Sequence, residues 1–241
     1  MFRRIREYAK FLKSLFYTNM RLLWGMWKLT KLPHPAVTIF GGARVQLESE
    51  IGQKAKTLSF KLVDSGFSII TGGGPGIMEA ANFGAIEYLR ECDLNSPLCR
   101  PGRLVSAGIG LIKLNKEKAN PYVQENIIME HFFARKWLLV RYSVGFVIFP
   151  GGFGTMDELF EIVTLVQTQR MKKLPIVLID INYWQPLIDW INTRALPQGL
   201  ISQEDISILK FVETVDEAFE FIKKECLNCT QSKLHTDGAA K

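Results

Sequence analysis

Between residues 36 and 214, short apolar runs rich in β-branched residues alternate with segments of helical periodicity, and three of the runs end in clustered glycines. AVTIF (36–40) leads into Gly41-Gly42, FSIIT (67–71) into GGGPG, and VGFVIF (144–149) into PGGFGT. RLVSAGIGL (103–111), NIIMEHFF (126–133), PIVLIDI (175–181) and KFVET (210–214) read as further strands. The segments between them, such as ESEIGQKAKTLSFKLVDSG, IMEAANFGAIEYLRE, ARKWLLVRYS and DEAFEFIKKE, carry helical spacing. Strands that are apolar throughout and alternate with helices need cover on both faces, which parallel sheets receive from their crossover helices. The expected fold is therefore α/β: a Rossmann-like, doubly wound parallel sheet with helices on both faces. Ligands of such sheets sit beyond the carboxyl ends of the strands, where the strand order reverses.

An N-terminal helical extension precedes this domain. Ile5, Ala9, Leu12, Phe16, Met20, Leu23 and Trp27 keep helical spacing, with Arg3, Arg6, Lys10 and Lys13 on another face; Pro33 and Pro35 mark the boundary. The chain carries +6 overall, but residues 1–34 hold eight Lys or Arg against one acid, a net of +7, which leaves −1 for the rest. A near-neutral body gives no reason to expect nucleic acid as a partner. Packing of residues 1–30 on the domain or on another subunit is the preferred reading, and attachment to an anionic membrane surface through Trp24 and Trp27 is the other. The divisions expected are an extension over 1–34, a nucleotide-binding domain over 35–225 and a polar, disordered tail over 226–241.

Four cysteines are too few for a disulfide-built scaffold; Cys226 and Cys229 read as exposed thiols, and reduced thiols fit a cytoplasmic setting. His34, His131 and His235 are scattered, so no metal site is expected, and no cofactor.

The glycine junctions carry the site. Glycine admits a ligand close to the backbone, and a helix that starts there aims free N–H groups and its positive end at an anion. None of the three reads GxxxxGK[ST] or GxGxxG, so neither a P-loop nor a dinucleotide fingerprint is present. After the third junction come the acids Asp157, Glu158 and Glu161. Thr155 and Glu158 have capping-box spacing, and Asp157 and Glu161 read as first-turn acids, so spacing alone leaves a structural and a catalytic role for Glu158 equally open. Arg135-Lys136 follows a predicted strand at the start of a helix, an unfavourable place for cations unless they bind something.

In combination these elements resemble the Lonely guy family of cytokinin-activating phosphoribohydrolases, often labelled lysine decarboxylases. PGGFGTMDE is similar to its PGGxGTxxE motif, FFARK to its RK motif, GGGPGIMEAAN to its GGG segment, and FGGAR to the FGSAR element of longer bacterial members, with Gly42 in place of serine. The resemblance covers roughly residues 36–225. It implies cleavage of the N-glycosidic bond of nucleoside 5′-monophosphates, AMP or N6-modified cytokinin nucleotides, to free base and ribose 5-phosphate, in a homodimer or larger homo-oligomer. It implies Arg135 and Glu158 as catalytic residues and Gly151, Gly152, Gly154 and Thr155 as the phosphate site, with Lys136 beside them. Asp157, Glu117, Thr164, Gly73 and Gly74 join them on the substrate side. A related scaffold carries molybdenum cofactor without catalysis, which is the alternative reading. Decarboxylation of lysine would need a Schiff-base lysine, for which Lys136 is the only placed candidate.

Overall fold

The computed structural model describes residues 2–33, 35–92, 99–100, 102–112 and 119–236. The chain begins with one long helix, α1 (Phe2–Leu29). There follow β1 (Ala36–Phe40), α2 (Glu50–Asp64), β2 (Ser68–Thr71), α3 (Ile77–Glu91), β3 (Ser106–Leu111) and β4 (Glu125–Met129). The second half runs α4 (Phe132–Arg141), β5 (Gly145–Ile148), α5 (Phe153–Gln167), β6 (Ile176–Ile179), α6 (Ile181–Trp190), α7 (Gln203–Ile206), β7 (Leu209–Val212) and α8 (Val215–Thr236). Among the described residues seven strands form one sheet in the order β4-β3-β2-β1-β5-β6-β7, and every recorded pairing is parallel. This is the doubly wound architecture expected from the alternation, with the order reversing between β1 and β5.

Side chains of one strand alternate between faces, so each strand feeds two cores. Val37, Ile39, Val147, Val177 and Ile179 pack beneath α2, α3 and α8. Ala36, Phe40, Phe146, Ile148, Ile176 and Leu178 pack with residues of α1, α4, α5 and α6. Full burial of one such aliphatic or aromatic side chain contributes roughly 1.5–3 kcal/mol, which is why these runs are apolar on both faces. Helix ends are set locally. Ser49 caps α2 by accepting from the Gly52 amide, and Gly66 at φ +93° turns the chain back into β2. The second half of α1 lies against β4 and α4. It comes close because residue 25 is glycine: a Cβ there would stand 2.8 Å from Met129 Cε and 2.9 Å from Leu138 Cδ1.

Several expectations are corrected. The strand read over 126–133 ends at Met129, and Phe132 and Phe133 open α4, where both are exposed. A run of apolar residues shows no period when a strand meets a helix without a polar break. The short helix α7 goes unannounced in hydropathy but carries a capping box, Ser202 with Asp205. Helix α8 continues to Thr236, past the boundary at residue 225. Cys92 and Cys99 form a disulfide with Cα atoms 5.8 Å apart, so these two are not reduced thiols. Cys226 is buried in the core rather than exposed, with Sγ 3.6 Å from the Val144 carbonyl.

Candidate active site

The carboxyl ends of β1 and β5 meet at the reversal of strand order. There the Gly42 amide donates to the Pro150 carbonyl at 2.9 Å and the Ile77 amide to the Gly42 carbonyl at 3.1 Å. These bonds stitch all three glycine junctions around one cavity of about 800 Å3, lined by Gly41, Gly42, Gly72–Gly74, Gly151–Asp157, Arg135 and Glu158.

The glycines differ in what demands them. A Cβ on Gly151 would sit 2.1 Å from Thr155 Oγ1 and 2.8 Å from the Gly42 nitrogen, so the fold itself needs that glycine. On Gly152 or Gly154 it would meet no heavy atom within 4 Å. Those two are bare on the cavity side, where open backbone at a helix start can receive an anion. Gly73 lies at φ +74°, and its turn is held by hydrogen bonds: its amide donates to Thr71 Oγ1 at 3.0 Å, and its carbonyl accepts from the Asn120 amide at 3.0 Å.

Helix α5 begins earlier than the spacing suggests. Its N-cap is Gly152 with no side-chain cap bond, and Thr155 is already its third residue. The capping-box reading of Thr155 and Glu158 is therefore overturned, because Phe153 and Gly154 take helical geometry and move both residues inward. Asp157, Glu158 and Glu161 are correspondingly not first-turn acids. Thr155 and Glu158 are buried instead.

Glu158 Oε1 accepts from Arg135 Nη1 at 3.1 Å, and its side chain is 5% exposed. Arg135 also donates through Nε to the Ile109 carbonyl at 2.9 Å, and its guanidinium lies over Gly72, where a Cβ would come within 2.4 Å of Nη2. The second carboxylate oxygen, Oε2, is buried without a hydrogen-bond partner. Burial pushes the Glu158 carboxyl above its ordinary range; Arg135 and Lys136 oppose the shift, while Glu161 and Asp157 add to it. A buried carboxylate with one oxygen fixed and one unmet is a site waiting for a proton or a cationic group.

Lys136 turns elsewhere. Its Nζ lies 2.8 Å from Asp157 Oδ2 and 2.7 Å from Glu161 Oε2, joining α4 to α5. Burial works against its charge, but the bonds to Asp157 and Glu161 prevail and hold the ammonium above its usual pKa. Of the other expected residues, Gly73, Gly74 and Asp157 line the cavity, while Thr164 does not; its hydroxyl donates to the Phe160 carbonyl at 2.7 Å on an exposed helix face. Glu117 lies outside the described residues.

Arg44 and Tyr183 are among the lining residues that were not anticipated. Arg44, the last residue of FGGAR, reaches the rim; its place directly after a glycine junction was the available signal. Tyr183 donates its hydroxyl to the Gly151 carbonyl at 2.5 Å. It gets there because Asp180, at φ +77°, turns the chain sharply out of β6 and caps α6 through the Tyr183 amide. No spacing rule links residues 183 and 151.

A family model described as "Possible lysine decarboxylase" matches residues 78–222, more than half of the chain. The chain belongs to this family, the Lonely guy family. Among curated Lonely guy relatives, the cytokinin riboside 5′-monophosphate phosphoribohydrolase of Rhodococcoides fascians is 25% identical over 188 residues, covering 78% of this chain and 89% of that protein. The enzyme of the same name from Oryza sativa subsp. japonica is 24% identical over 183 residues, 75% of this chain and 69% of its own. Among solved structures, the molybdenum cofactor binding protein of Rippkaea orientalis superposes with a TM-score of 0.54 at 19% identity, covering 79% of this chain and 96% of that one. The molybdenum cofactor carrier protein of Chlamydomonas reinhardtii gives 0.51 at 18%, covering 81% and 99%. At that identity the likeness concerns the fold.

Proposed function

We propose that this member of the family hydrolyses the N-glycosidic bond of nucleoside 5′-monophosphates, of which AMP and N6-modified cytokinin nucleotides are the first candidates. The observation that carries the reading is the buried Glu158 carboxylate, fixed by Arg135 on one oxygen and unmet on the other, one helical turn from an open glycine anion site. The names of the curated relatives support it.

The substrate asks for both charges. Its 5′-phosphate would lie on the backbone of Gly152 and Gly154 at the positive end of α5, with Gly151 and Thr155 shaping the turn. Breaking the bond from C1′ to the base nitrogen builds oxocarbenium character on the ribose. Glu158 Oε2 would face that charge and take a proton from water as the water oxygen bonds to C1′. The electron pair of the broken bond leaves with the base, which picks up a proton, and the products are free base and ribose 5-phosphate. A raised pKa suits a carboxylate that must accept a proton near neutral pH. Arg135 would hold Glu158 in line, and Lys136 would act behind it by keeping α5 in register.

Lysine decarboxylation finds less support. Among the described residues no lysine lines the cavity, and the Lys136 ammonium lies between two carboxylates rather than ready as an amine for a Schiff base. A panel of purine and pyrimidine nucleoside monophosphates, assayed by chromatography for released base, tests the proposal and selects the base. Tight binding of a nucleotide without release of any base would favour a carrier instead.

A further inference from the structure

Helix α1 presents a second functional surface. Its buried side, with Thr18, Gly25 and Leu29, meets the domain. Turned away from that contact is a stripe of large apolar residues spaced three or four apart: Tyr8, Leu12, Phe16, Met20, Leu23 and Trp27. Phe16 is 64% exposed, Leu23 58% and Trp27 56%, so the domain covers none of them well. Folding alone would not leave such a stripe on a helix that could have carried polar residues there.

The charge beside the stripe narrows what covers it. Successive residues of an α-helix turn by about 100°, which places Arg6, Lys10 and Lys13 along one flank of the apolar stripe; Lys28 follows on that flank with its ammonium paired to Glu125 of β4, and Lys31 lies just past the end of α1. Lys28 Nζ lies 4.1 Å from the centre of the Trp24 ring and Lys31 Nζ 3.5 Å from that of Trp27, pairs in which an aromatic body and a cation share one boundary. Residues 1–34 carry +7 against −1 in the remainder. A second copy of the chain would bring another +7 N-terminal segment and a body whose net charge is only −1. An anionic lipid surface supplies what both halves of the helix require: hydrocarbon for the stripe and phosphate or carboxylate headgroups for the flank. No helix among the described residues is long and apolar enough to cross a membrane, so the attachment would be one-sided, in the plane of the interface.

We propose that α1 docks the protein onto anionic phospholipid surfaces, its apolar stripe sunk about 5–10 Å into the headgroup boundary and its basic flank on the headgroups. This does not rest on the enzymatic reading of the cavity.

The test is co-sedimentation of the full-length protein with vesicles of phosphatidylcholine containing phosphatidylserine, and with vesicles of phosphatidylcholine alone. Binding is expected to the mixed vesicles, at least tenfold weaker to the neutral ones, and weakened by added salt. Lys10→Glu/Lys13→Glu should lower affinity for the mixed vesicles at least tenfold. Leu12→Ser/Phe16→Ser/Leu23→Ser should abolish binding. All five positions are exposed and away from the cavity, so base release and the circular dichroism spectrum should stay as in the parent protein. Wild-type protein that remains in the supernatant with the mixed vesicles overturns the proposal. So does a serine variant that still binds, or one whose sedimentation mass halves while wild-type protein ignores lipid; the last outcome would make the stripe an interface between copies.

Discussion

Arg135 and Lys136 are neighbours at the start of α4, and their side chains lead to different parts of the molecule. The Arg135 guanidinium points into the cavity, with Nε on the Ile109 carbonyl and Nη1 on Glu158. The Lys136 ammonium bridges Asp157 and Glu161 along the seam between α4 and α5. One step along a helix is enough to separate them. The chemistry of each cation matches its place: a planar fork can hold a carbonyl and a carboxylate in fixed directions at once, whereas an ammonium serves as a point charge between two acids. The acids of MDELFE divide in the same way. Glu158 belongs to the cavity and Glu161 to the seam that supports it, while Asp157 lines the cavity and pairs with Lys136 in the seam.

Breaking the two cations separately should show the largest difference. Arg135→Ala is expected to lower kcat for base release by about 10²-fold or more, the usual scale for losing a preorganised charged donor. Arg135→Lys should recover little of it, since an ammonium lacks the planar fork that directs Nε to the Ile109 carbonyl and Nη1 to Glu158. Lys136→Met should cost less than about tenfold in kcat and show mainly as lost thermal stability. Equal losses from Arg135→Ala and Lys136→Met would erase the distinction.

Glycine substitutions sharpen the contrast between scaffold and ligand surface. Gly151→Ala forces a Cβ to 2.1 Å from Thr155 Oγ1 and should destabilise the fold by about 1–3 kcal/mol. Gly152→Ala meets no protein atom and should leave the melting temperature within error while raising the KM for nucleotide severalfold. A thermal shift series with nucleotide titration separates the two. Unchanged KM in Gly152→Ala would remove that backbone from the phosphate site.

A smaller effect should appear in pH dependence. Glu158 must be ionised to accept a proton, and burial raises its pKa above the ordinary 4.5, so kcat/KM should fall with decreasing pH through a limb above 4.5. Lys136 lowers the Glu158 pKa; its removal in Lys136→Met should therefore move that limb to higher pH. A limb that stays in place, or shifts down, would mean that Lys136 does not act on Glu158.

The parts of the site legible in the sequence are those written in neighbouring residues. Apolar runs ending in glycine marked β1, β2 and β5 and the edge on which the cavity lies, because backbone approach is a local property of glycine. The partnership of Arg135 with Glu158 was suggested by resemblance and not by spacing, since 23 residues separate them and T-x-x-E fits a capping box equally well. What decides it is that α5 starts at Phe153, a matter of three residues at a helix end, where local preferences are weakest. Tyr183 was invisible because its bond to Gly151 depends on the left-handed turn at Asp180 and on the closeness of β5 and β6. The uncovered stripe of α1 was legible as an amphipathic pattern, but only the fold shows which face the domain uses.

The central claim is that Glu158 is the group that cleaves. AMP incubated with the wild-type protein, and with Glu158→Gln, should be followed for free adenine and ribose 5-phosphate, with AMP binding measured on both by calorimetry. The wild-type protein should release both products in equal amounts, and release by the variant should fall by about 10²–10⁴-fold with AMP affinity largely kept. Adenine released by Glu158→Gln at the wild-type rate would contradict it.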